Sequence, residues 1–188
     1  MAEPSTRRLP YWPLLVALLI ILVDQVSKYL VVRYLQPLGT SGIPIIGSYL
    51  RLVYLENTGV SFGQLQQFSA VLTIFIAVVV IGLAVGYRQL VTASPWANLA
   101  LGLIMGGAIG NLVGRILTGI RLGLSNAYVV DFVDVRYFAV FNVADSAITV
   151  GGILYGVYLI FFHKGSPAGG EPKEEPPCPP PENPPPAR

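Results

Sequence analysis

The chain has 188 residues, of which 53% are hydrophobic and only 12% charged, with a formal charge of +2. Charge at about half the share of a soluble domain leaves too little polar surface to solvate a globule of one domain's length, so the chain belongs in a membrane. The small net charge and the lack of a basic run exclude a phosphate-gripping nucleic-acid binder. The lone histidine, His163, excludes multi-histidine metal sites and any Ser-His-Asp triad not built on it.

Taken in chain order, a first apolar run over 13–32 is long enough to cross a bilayer as a helix, at ~1.5 Å per residue. Arg7 and Arg8 before it imitate a signal peptide, but the run continues through Asp24 and Lys28 without a small-residue cleavage site. It reads as a retained span. The connection over 33–68 contains the strand-favouring run from Tyr49 to Leu55, preceded by turn signals at Gly39, Gly42, Pro44 and Gly47. A small sheet resting on the membrane surface is expected there. Further spans are predicted over 69–87, 97–117 and 143–162, joined by a short connection (88–96) and a long one (118–142). All four read as helices, because an open sheet edge in lipid leaves backbone groups unpaired.

The expected architecture is therefore an all-α membrane protein: four transmembrane helices with a small extracytoplasmic β-structured loop region. Residues 1–164 form one unit, and 165–188 a disordered tail of proline, glutamate and glycine with polyproline II character. Cys178 lies in that tail as an incidental thiol and rules out an internal disulfide. No internal repeat is evident. With both termini cytoplasmic, five basic residues (Arg7, Arg8, Arg88, Lys164, Lys173) fall inside and four (Arg33, Arg51, Arg121, Arg136) outside, which favours that orientation. The two long connections then share the outer side.

Outside the terminal segments the acidic residues are Asp24, Glu56, Asp131, Asp134 and Asp145. An ionisable group at bilayer depth costs roughly 2.5–3.5 kcal/mol on insertion scales and therefore tends to mark a site. Asp24 and Lys28 are spaced to pair on one helix face, as are Asn111 and Arg115. Counting the rise per residue brings these groups, Asp145 at the start of the fourth span and Asp131 in the loop before it to one end of the bundle. Taken singly, each also has a structural account: an ion pair fixing the first span, interhelical hydrogen bonds, a helix N-cap at Asp145, loop acids at Asp131 and Asp134, a turn at Glu56–Gly59.

Five segments together are more specific. Asp24-Gln-Val-Ser-Lys28, Glu56-Asn-Thr-Gly-Val-Ser-Phe-Gly63, Gly106-Gly-Ala-Ile-Gly-Asn-Leu-Val-Gly-Arg115, Val129-Val-Asp-Phe132 and Phe141-Asn-Val-Ala-Asp-Ser146 resemble, in order, the bacterial lipoprotein signal peptidases (signal peptidase II). The resemblance covers essentially all of 14–162. It implies an aspartyl endopeptidase with Asp131 and Asp145 as the catalytic pair, while Asn57, Gly59, Asn111, Arg115 and Asn142 line or support the pocket and Asp24 and Lys28 form a polar pair near it. It further implies cleavage just before the diacylglyceryl-modified cysteine of a prolipoprotein, inhibition by the cyclic peptide globomycin, and residence in the bacterial inner membrane with the site near the outer face. Neither cofactor nor metal is implied, and the expected partners are prolipoproteins and membrane lipids, the chain itself being a monomer. One departure stands out: the family usually has aspartate before the arginine of the third segment, where this chain has Gly114, which puts the orientation of Arg115 in question.

Two carboxylates held close share one proton, so one can activate water while the other polarises the scissile carbonyl. The rival readings are a transporter using the buried carboxylates as an ion or proton path, a Ser–Lys hydrolase built on Lys28 with Ser27 or Ser61, and a non-catalytic assembly protein with a decayed site. Asp134 is a further candidate for the second carboxylate.

Overall fold

The computed structural model describes residues 9–59 and 68–162. Expectations about Arg7, Arg8, Ser61, Gly63, His163, Cys178 and the tail lie outside the described residues.

Four helices are long and apolar enough to cross a membrane: α1 (Trp12–Tyr34), α2 (Phe68–Val85), α4 (Pro95–Leu122) and α5 (Val143–Phe161). A one-turn helix, α3 (Tyr87–Leu90), follows α2. The observed spans agree with the predicted ones except at the end of α4, which runs beyond the expected residue 117. No helix breaker intervenes until Gly123, whose φ of 87° suits glycine alone. At its other end α4 begins where Ser94 caps the Ala97 amide and Pro95 occupies the first turn.

α4 is the central helix. Over half of its apolar window is buried, whereas α1, α2 and α5 turn most of theirs outward. A glycine every fourth residue (Gly102, Gly106, Gly110, Gly114) lets α1 come close. A Cβ at Gly102 would stand 2.6 Å from the Pro13 carbonyl oxygen, and one at Gly106 2.8 Å from that of Ala17. Gly151 of α5 performs the same service against α4, with the Ala100 carbonyl oxygen 2.9 Å from its would-be Cβ.

Outside the four long helices is a three-stranded antiparallel sheet, β1 (Ile43–Ile46), β2 (Leu50–Asn57) and β3 (Val129–Val135), in the order β1-β2-β3. The expected strand is β2. Pro44, read from the sequence as a turn signal, instead sits in edge strand β1, where a missing N–H costs no ladder bond. Asp131, expected in a loop, is on β3 opposite Leu55 of β2. Two aspartates in the Val129–Val135 run blur the apolar signature of a strand. Val31 and Leu35 at the end of α1 pack with Val130 and Phe132 of β3 and seat the sheet on the bundle end where α1 and α4 finish and α5 starts.

Candidate active site

α5 begins with a capping box: the Asn142 side chain accepts from the Asp145 amide (3.0 Å), and an Asp145 carboxylate oxygen accepts from the Asn142 amide (3.2 Å). Asparagine before an apolar run is a strong start signal, so the local sequence by itself fixes Asp145 in the first turn. The other end of the Asn142 side chain reaches across to β3, its Nδ2 donating to Asp131 Oδ1 at 2.6 Å. One asparagine thus holds both carboxylates.

Two more asparagines complete the frame. Asn57, at the end of β2, donates to Asp131 Oδ2 at 2.7 Å, while its own Oδ1 accepts from the Gly59 amide at 2.6 Å. Asn111 of α4 donates to Asp145 Oδ1 at 2.7 Å, and its Oδ1 accepts from Asn142 at 3.2 Å and from Lys28 Nζ at 2.9 Å. Lys28 also pairs with Asp24 at 2.8 Å. The second oxygen of Asp24 accepts from the Ala144 amide at 3.1 Å, which joins α1 to the start of α5. Gly110 makes room for this carboxylate, since a Cβ there would lie 2.8 Å from Asp24 Oδ2.

The two candidate carboxylates differ in environment. Asp131 is fully buried, and Asp145 is partly exposed. Burial raises the Asp131 carboxyl to about 6; the Asn57 hydrogen bond opposes the rise, the charge of Asp145 adds to it, and Asn142 and Lys28 oppose it again.

Arg115 is buried beside this network on the α2 side. Its guanidinium donates to the carbonyls of Thr58 (3.3 Å), Ala127 (3.4 Å) and Asn57 (3.4 Å) and to Ser69 Oγ (3.3 Å). Ser69 in turn donates to the Ala127 carbonyl. Gly59, at φ 97°, lies against it: a Cβ there would come 3.0 Å from Nη2. These contacts orient Arg115 without a side chain at position 114. A side chain at 114 would leave the helix toward Val129 and Lys28, 3.4 and 3.9 Å from its Cβ, and away from the carbonyl cage that orients Arg115.

All nine residues singled out from the sequence lie at this one end of the bundle. Asp134 does not join them. It is an odd number of residues from Asp131 along β3, so it lies on the opposite face, where Arg51 takes it at 2.6 Å. Ser27 donates its hydroxyl to the Asp24 carbonyl at 2.8 Å, while Lys28 Nζ donates to Asp24 and Asn111. Sequence reasoning missed Ser69, Gln25 and the peptide groups of Thr58, Ala127 and Ala144. Gln25 bridges Asp24 (2.9 Å) and the Gly110 carbonyl (3.0 Å). Ser69 and Gln25, polar side chains inside predicted spans, carried a readable signal; backbone groups carry none.

The family model described as signal peptidase (SPase) II matches residues 16–161. The chain belongs to the signal peptidase II family. Among its relatives, the lipoprotein signal peptidase of Caldanaerobacter subterraneus subsp. tengcongensis is 42% identical over 76% of this chain and 91% of its own length. That of Moorella thermoacetica is 38% identical over 86% of this chain and 97% of its own length. A bacterial membrane enzyme solved at 1.9 Å superposes with a TM-score of 0.68 at 27% identity, over 80% of this chain and 94% of the other. The chain is accordingly a multi-pass membrane peptidase of the aspartic type, acting to remove signal peptides from prolipoproteins. The transporter reading falls with this membership.

Proposed function

We propose that Asp131 and Asp145 are the catalytic dyad, cleaving the peptide bond just before the diacylglyceryl-modified cysteine of a prolipoprotein. The observation that carries this reading is the Asn142 bridge, which ties one carboxylate on a strand to another at a helix start. Two carboxylates so joined titrate as a unit and share one proton. The ionised member takes a proton from water, which attacks the scissile carbonyl. The protonated member donates to that carbonyl oxygen and then supplies the proton for the leaving amine. Asn57, Asn111 and Asn142 hold the carboxylates, while Asp24 and Lys28 fix Asn111 and the start of α5. Arg115 and Gly59 shape the wall on the α2 side.

The enzyme works in this reading in the bacterial inner membrane, as a monomer with both termini cytoplasmic. Residues 1–164 make up the peptidase unit, with 165–188 a dispensable tail. The sheet and the dyad lie at the outer face, where a substrate's lipid stays in the bilayer while its peptide reaches water. Membrane lipids surround the spans, and globomycin blocks the site. The test is to incubate purified enzyme with a diacylglyceryl-modified prolipoprotein and read the product masses. Cleavage just before the lipidated cysteine, abolished by globomycin, is expected. Cleavage elsewhere, or no effect of globomycin, contradicts the reading.

A further inference from the structure

A groove with a cavity volume of about 330 Å³ lies along the α1–α4 contact, bordered by β2 and β3 through Tyr54 and Val130. It is separate from the carbonyl cage of Arg115. Gly114 forms part of its wall, since a Cβ there would meet only Val129 and, at 3.9 Å, Lys28 Nζ. On α4 it runs from Gly114 to Arg121, about 10 Å at ~1.5 Å per residue.

Its polar groups come in an order. At the deep end is Lys28, 6% exposed, whose ammonium has three donors and uses two, on Asp24 and Asn111. At the mouth, on the last turn of α4, is Arg121, exposed and without an ion pair among the described residues. Gln36 and the Tyr54 hydroxyl lie between α1 and the sheet at the same end. Two acids adjoin the lining without forming part of it: Asp24 pairs with Lys28 at 2.8 Å, and Glu56 accepts from Tyr54 at 2.7 Å. The outer lip is apolar and open: Tyr29 is 68%, Leu117 52% and Val32 38% exposed.

We propose that this groove binds an anionic phospholipid, with the phosphate at Arg121, the glycerol esters beside Gln36 and the Tyr54 hydroxyl, and the acyl chains running down along Leu117, Val32 and Tyr29 toward the level of Lys28. The order fits the ligand, because the polar groups of Arg121, Gln36 and Tyr54 stand at the mouth and the apolar lip of Leu117, Val32 and Tyr29 lies below them, as a headgroup and its esters stand above the chains. A cation at the headgroup level of an intramembrane groove favours an anionic lipid over a zwitterionic one. The proposal is independent of which residues perform the cleavage.

The test is native mass spectrometry of the purified full chain with dioleoyl phosphatidylglycerol, dioleoyl phosphatidylcholine and dioleoylglycerol at equal concentration. The expected result is a roughly fivefold preference for phosphatidylglycerol. Arg121→Gln, an exposed substitution, brings that ratio to about one, whereas Arg88→Gln at the opposite end of the bundle leaves it unchanged. Gly114→Leu, which fills the groove, removes retention of phosphatidylglycerol, with its thermal unfolding measured alongside to establish that it folds. Equal retention of both phospholipids, or a preference that survives Arg121→Gln, overturns the proposal. So does a loss that Arg88→Gln reproduces, since the attraction is then diffuse. Displacement by dioleoylglycerol also overturns it, making the groove a seat for uncharged glycerolipid such as the substrate's own.

Discussion

Asn142 does three jobs with one side chain: it caps α5, fixes Asp145 and holds Asp131. Asn142→Ala is therefore expected to cost stability of about 1 kcal/mol through the lost cap, and to lower kcat by more than that loss explains. Thermal unfolding and single-turnover cleavage separate the two effects. The acidity of Asp131 gives a second prediction. Its folded carboxyl, raised to about 6 from 3.8, favours the protonated form. The associated stability is present below the unfolded value and lost as pH rises through about 6. The same proton is needed for catalysis, so kcat/KM should decline on the alkaline side of about 6. The Asn57 hydrogen bond lowers the Asp131 value, so Asn57→Ala should move that limb to higher pH, as read from the pH profile of the residual activity. A limb that moves to lower pH contradicts the assignment.

At the scale of elements, the glycine ladder of α4 is what allows a charged α1 to dock. Gly106→Ala places a Cβ 2.8 Å from the Ala17 carbonyl oxygen, a clash with backbone that only a helix shift relieves. A loss of about 1–3 kcal/mol is expected, against little change for Gly152→Ala, which has nothing within 4 Å. Thermal unfolding in one detergent compares the pair. The spans were legible because apolar length is the strongest signal a membrane chain carries. Asp24, Lys28, Asn111 and Arg115 were legible because their presence at depth needs a reason. The sheet was only partly legible. β2 has the residues of a strand, but β1 carries a proline and β3 two aspartates, and both are strands only because β2 lies between them. Gly114 raised a question about Arg115 because the two are adjacent in sequence. Adjacent helix positions point about 100° apart, so neighbours in sequence need not share neighbours in space.

For the whole molecule, sidedness can be tested with single cysteines in a Cys178→Ser background. A cysteine at Tyr137, 89% exposed beyond β3, should react with an impermeant maleimide applied to intact spheroplasts. One at Gln89, exposed in α3 at the other end, should react only after lysis. The reverse pattern inverts the proposed orientation. The fold explains why the site sits where it does: α1, α4 and α5 supply buried polar groups that need partners, and the sheet closes over their common end with Asp131 on its third strand.

Cleavage of a lipid-modified prolipoprotein by Asp131→Asn, Asp145→Asn and Asp134→Asn enzymes is the decisive measurement on the proposed Asp131–Asp145 dyad. A loss of about 10²–10⁴-fold or more is expected for the first two, with activity retained in Asp134→Asn, whose carboxylate belongs to Arg51. Cleavage that survives at either Asp131 or Asp145, or fails at Asp134 in a folded enzyme, contradicts it.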